Sequence, residues 1–138
     1  MDVSLNWLAI ALATISSMVV GTIWYRPGVL GRSYEKLTGV DPNKPRSRAL
    51  AYGGSFVASA VTAVVLAAAS DLAAGALGID LLPAAVATAC ALWLGFTAAR
   101  MLVHELFEGR SLRIWAIGAG YELITVLVMA VIIGLLGR

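Results

Sequence analysis

Four long apolar runs, at about residues 5–25, 49–70, 82–103 and 114–136, constrain this chain more than any other feature. The first two contain no Asp, Glu, Lys or Arg. The third and fourth contain one each, Arg100 and Glu122. A helix rises about 1.5 Å per residue, so a run of about 20 residues spans the ~30 Å hydrocarbon core of a bilayer. In hydrocarbon every backbone N–H and C=O needs an internal partner, so only helices and closed barrels cross it. These runs are continuous rather than alternating, and four is too few for a barrel. The sequence therefore predicts an all-α, polytopic membrane protein. Its four transmembrane helices form one domain over residues 1–138.

Composition agrees. The chain is 60% hydrophobic and only 13% charged, where a soluble domain is about a quarter charged. Mean hydropathy is +0.88. The ten Lys and Arg residues are clustered. Arg26, Arg32, Lys36, Lys44, Arg46 and Arg48 lie in the first connection, and Arg100, Arg110 and Arg113 around the third. The second connection, 71–81, carries Asp71 and Asp80 and no basic residue. The positive-inside rule puts the first and third connections in the cytoplasm and both termini outside. A nucleic-acid partner would want one continuous basic face and is not expected. Anionic lipid headgroups are the expected partners of these charges. The N-terminus lacks the basic segment and cleavage site of a signal peptide, so 5–25 reads as a mature span.

The first connection has its own structure. Pro27 and Gly28 break the first helix. Residues 29–37 predict a short amphipathic interfacial helix, with Val29, Leu30, Tyr34 and Leu37 apolar and Arg32, Glu35 and Lys36 polar. Asp41-Pro42-Asn43-Lys44-Pro45 predicts an extended turn. Trp24, Tyr25, Tyr34, Tyr52 and Trp115 share one end of the spans and read as interfacial anchors. Cys90, the one cysteine, reads as a small buried hydrophobe. One His and one Cys supply no metal-ligand set, and no cofactor is expected.

Glu122 is the residue most in need of a reason. An ionisable group inside a span costs a few kcal/mol and usually faces the bundle interior or water. At helical spacing Trp115, Gly118, Thr125 and Met129 share its face. Matching stripes occur at Thr14, Ser17, Gly21 and Trp24; at Tyr52, Ser55, Ser59 and Thr62; and at Trp93, Thr97, Arg100 and His104. Turned inward, they make Glu122, Arg100, Thr97, Thr125, Ser17 and Ser59 a candidate polar binding site, with Arg100 pairing Glu122. The same stripes also read as packing and interhelical hydrogen bonding alone. His104 and Glu105 read as a solvated face. Gly54/Ala58 and Gly134/Gly137 are small-residue faces free to meet a second copy.

No nucleophile elbow, phosphate-binding loop or zinc motif is present, and Gly118-Ala119-Gly120 follows no strand. Gly21, Trp24-Tyr25, Pro27, Leu30-Gly31, Tyr34 and Gly39, then Trp93-Leu94-Gly95-Phe96, Leu106-Phe107-Glu108-Gly109-Arg110 and Gly120-Tyr121-Glu122, resemble the domain-of-unknown-function family 1761 over nearly the whole chain. The resemblance implies a small four-helix bacterial membrane protein and adds no mechanism. It also implies His at the position of Glu122 and Trp at that of Tyr34, two departures in this chain. The expectation is a non-enzymatic membrane component that self-assembles, a homodimer by preference, or serves a larger complex. The alternative is a small transporter or channel for a proton, cation or small solute, using Glu122.

Overall fold

In the computed structural model, which describes residues 2–137, the chain folds into α1 (Trp7–Trp24), α2 (Arg32–Thr38), α3 (Arg48–Leu77), α4 (Leu81–Glu108) and α5 (Leu112–Leu136). All but α2 are long and apolar enough to cross a membrane, and the described residues form no strand. The chain is an all-α, four-helix membrane protein. Serine and asparagine start the spans. Asn6, Ser47 and Ser111 each accept an N–H of the first turn, from Ala9, Leu50 and Arg113. The Asn6 amide also donates to the Leu136 carbonyl, so one side chain satisfies the start of α1 and the end of α5.

The spans run past the predicted limits at two places. Asp71, expected in a connection, lies inside α3, where it is buried and accepts the Ser4 N–H at 2.9 Å. The helix ends instead at Gly78, whose φ of 64° lets Ile79 N–H reach back to the Ala74 carbonyl at 3.2 Å. Likewise α4 continues to Glu108.

α1 and α4 both pack on α3 and α5, giving a ring in the order α1, α3, α4, α5. The core contains Ile10, Ala13, Ala63, Leu66, Ala85, Met129 and Ile133. Its alanines bring backbones close, which suits association where lipid is as apolar as the side chains. The closest approach is at Gly134, where a Cβ would stand 2.6 Å from the Leu82 Cα. A Cβ at Gly137 would stand 2.9 Å from Leu81 Cδ2. The Gly134/Gly137 face is thus used inside the molecule and is not free for a second copy.

At the opposite end the bundle loosens. The buried residues of α3 all lie from Ala63 onward. Its first half, including Tyr52, Gly53, Gly54, Ser55, Phe56 and Val57, is exposed.

Two π turns set the register. In the first, Pro27–Gly31, the Gly31 N–H reaches the Arg26 carbonyl at 2.9 Å and leads straight into α2. Leu30, Tyr34 and Leu37 are half-buried while Arg32, Glu35 and Lys36 are exposed, the expected amphipathic division; Val29 is exposed too. The second, Trp93–Ala98, interrupts α4, with Ala99 N–H bonded to Leu94 O. A π turn inserts one residue and moves every later inward position on by one. The predicted stripe Thr97, Arg100, His104 is displaced accordingly. Ala98 and Glu105 are buried, whereas Arg100 and His104 are exposed.

Gly134→Ala is expected to cost about 1–3 kcal/mol, because backbones must separate. Gly53→Ala, with open space at its Cβ, should be neutral or gain up to about 1 kcal/mol. Unfolding in detergent tests this; equal effects would refute the close α4–α5 approach.

Candidate functional site

Glu122 lies about 15 Å along α5 from Leu112. Three indoles hold this stretch of α5. Trp24 Nε1 of α1 donates to the Ile117 carbonyl at 3.1 Å, and Trp93 Nε1 of α4 to the Ala119 carbonyl at 2.8 Å. Trp115 Nε1 returns a bond to the Ala98 carbonyl, at the end of the π turn, at 2.9 Å. Helix carbonyls accept a second hydrogen bond on their spare lone pair. Glycine lets the rings seat: a Cβ on Gly120 would stand 3.1 Å from Trp24, and one on Gly21 3.2 Å from the Tyr121 hydroxyl. α1, α4 and α5 are tied together at the depth of Glu122, and α3 takes no part.

Three cavities meet there. One, about 430 Å³, lies between α1, α3 and the turn 40–45, with Ser17, Tyr52, Ser55 and Tyr121 in its wall. A second, about 290 Å³, separates α3 from α5 and is lined by Ser55, Ser59, Thr62, Tyr121, Glu122 and Thr125. A third, about 210 Å³, has Tyr25, Tyr34, Glu105, Arg110, Tyr121 and Glu122 around it. Tyr121 borders all three, and Glu122 two. Tyr25 stands edge-on to both Tyr34 and Tyr121, with ring centroids 5.4 and 5.3 Å away. Asn43 Nδ2 fastens the turn over this end by donating to the Tyr25 carbonyl at 2.9 Å.

The structure corrects the expected ion pair. Among the described residues no ion pair joins Arg100 to Glu122, and Arg100 is exposed. Arg110 is the cation beside this site. Its Nε lies 3.2 Å from Glu105 Oε2 and its Nη1 3.4 Å from Glu108 Oε2. Glu105, expected in water, is only 8% exposed, and its Oε2 makes no hydrogen bond, so the guanidinium is its charge partner. The Arg110 N–H also bonds to the Glu105 carbonyl at 3.1 Å as the chain turns at Gly109. Glu122 itself is half-buried with no ion pair or hydrogen bond among the described residues.

Of the other expected site residues, Thr125 and Ser59 lie beside Glu122. Ser17 borders the neighbouring cavity; its hydroxyl donates to the Thr14 carbonyl at 2.7 Å. Thr97 is displaced to an apolar cavity of about 410 Å³ between α3 and α4. Trp24, Tyr25, Tyr34 and Trp115, expected as membrane anchors, are half-buried and bind protein. Tyr52 keeps an exposed ring, and Cys90 faces outward instead of inward. Glu105, Arg110 and the three tyrosines are additions to the site. Spacing after the π turn conceals Glu105, while Gly109 after Glu108 is a sequence signal for the turn that brings Arg110 back. The described residues bring together no group of three His, Cys, Asp or Glu side chains. Chemically, the assembly offers a carboxyl among hydroxyls and ring faces, suited to a proton or a cation.

Arg110→Ala strands the Glu105 carboxylate and is expected to cost about 1–3 kcal/mol. Adding Glu105→Gln should recover most of that loss. A double variant less stable than Arg110→Ala alone, in detergent unfolding, would refute the pairing.

Comparison with curated proteins and with solved structures gives no match. A family profile does match, over residues 8–134, a span that includes all of the site and all but the outermost residues of α1 and α5. The chain belongs to the family described as Protein of unknown function (DUF1761).

Proposed function

We propose that this chain is a non-enzymatic membrane protein that admits a cationic solute (a proton, metal cation or amine) to the opening around Glu122. The observation that carries this reading is the convergence of three cavities on Tyr121, two of them bordered by Glu122 and two by the loosely packed first half of α3. An uncompensated carboxyl in a span is costly and usually serves a pathway. Arg110, the cation in the lining, already engages Glu105 and Glu108, so negative charge is in excess. The tyrosine faces add the attraction that aromatic rings have for ammonium groups. The distribution of basic residues supports a cytoplasmic mouth.

The test is uptake in proteoliposomes, with a pH-sensitive dye inside and an imposed gradient of sodium, potassium or a small amine. Wild type should move at least one of these, and Glu122→Gln should fall at least about tenfold while unfolding at a similar temperature. Equal rates in both proteins, or none above empty vesicles, would overturn the reading.

A second reading, assembly with a second copy, is favoured by the exposed first half of α3, where Gly53 and Gly54 meet nothing within 4 Å. It expects a complex of twice 14.4 kDa by light scattering in mild detergent. A monomer there and after crosslinking in membranes would refute it.

A further inference from the structure

We propose that a groove between α2 and the start of α5 binds one anionic phospholipid through its phosphodiester. The groove, about 480 Å³, lies on the outside of the bundle, apart from the Glu122 opening. Lys36 and Ser33 of α2 and Arg113 of α5 stand along it, and the half-buried Leu30, Leu37 and Ile117 form its floor. Ser33 and Leu37 fall on one face of α2 by their spacing, and Leu30 reaches the same groove from the π turn before it. The two cations come from separate elements, and neither has an ion pair among the described residues. Among the described residues no carboxylate lines the groove. Arg110 differs, its charge being taken by Glu105 and Glu108.

The chemistry of the lining selects the occupant. A guanidinium forks onto two phosphate oxygens, a flexible ammonium adds a point charge, and the serine hydroxyl adds a donor. A free phosphate would satisfy the rim and leave the apolar floor in water. A phospholipid satisfies both, since its phosphate sits at the level of Lys36 and Arg113 and its chain continues over Leu30, Leu37 and Ile117. The position fits as well. α2 is amphipathic and lies at the end of the bundle that carries the first and third connections, where headgroups are. A volume of this size holds a headgroup and the first methylenes. The proposal is independent of any role for Glu122.

The test counts lipid retained on the full-length protein by native mass spectrometry from mixed micelles of phosphatidylglycerol and phosphatidylcholine. Wild type should retain one phosphatidylglycerol about 30-fold in preference, the factor two cations at a lipid surface supply. Lys36→Gln with Arg113→Gln should abolish the preference. Lys44→Gln with Arg46→Gln, removing equal charge from the connection, should keep it. Each single variant, Lys36→Gln or Arg113→Gln, should lose about fivefold, which serves should the double variant fold poorly. Three results would overturn the proposal. The first is no preference in wild type. The second is equal loss in both double variants, meaning diffuse attraction. The third is displacement of the lipid by millimolar inorganic phosphate, meaning a simple anion site.

Discussion

Hydrocarbon offers no hydrogen-bond partner, and three indole–carbonyl bonds answer that constraint where this protein is most polar. Trp24, Trp93 and Trp115 spend their N–H groups on helix carbonyls between α1, α4 and α5. Each such bond is worth about 0.6–2 kcal/mol in a membrane. Their larger effect is positional. They set the rotation of α5 about its axis and hence the direction in which Tyr121 and Glu122 face. Gly21 and Gly120 belong to the same device, because a Cβ at either would crowd the Tyr121 or Trp24 ring and shift it by a few tenths of an ångström. Gly21, Trp24, Trp93, Gly120 and Tyr121 of this device are also among the residues that carry the family resemblance.

α3 is held differently. Its second half is packed into the core and tied to the N-terminal segment through Asp71 and Ser4. Its first half has exposed faces, large side chains such as Tyr52 and Phe56 among them, and cavities on both flanks. One end of the bundle is therefore closed by packing and hydrogen bonds, and the other is open around a carboxyl. A three-helix frame with a fourth helix anchored at one end is a geometry in which an opening can exist without unfolding the core.

The second polar device is the Glu105–Arg110 pair, which closes α4 onto its own turn at the rim of the opening. It places a buried carboxylate and a shared guanidinium beside Tyr25 and Tyr34. The basic residues of the first connection remain exposed, and two of the protein's cations come together only because α2 folds back on α5.

Much was legible in the sequence because hydrophobicity and charge act locally. Run length and the absence of charge specified four spanning helices, since lipid allows no other arrangement of four continuous apolar segments. Pro27 and Gly28 ended the first span, the amphipathic pattern of 29–37 marked the interfacial helix, and the cost of a buried carboxyl singled out Glu122. The partners of these groups depended on tertiary structure. A single π turn at 93–98 moved Arg100 and His104 outward and Glu105 inward, and no residue in that stretch announces such a turn. Whether Trp24, Tyr25, Tyr34 and Trp115 face headgroups or protein follows from how closely α1 and α4 approach α5. That approach is set by glycines on other helices, beyond the reach of periodicity within one. Gly134 and Gly54 look alike in sequence, yet one is buried against Leu82 and the other is open. Local chemistry determined which segments enter the membrane, and the packing of one helix on another decided which of their polar groups meet.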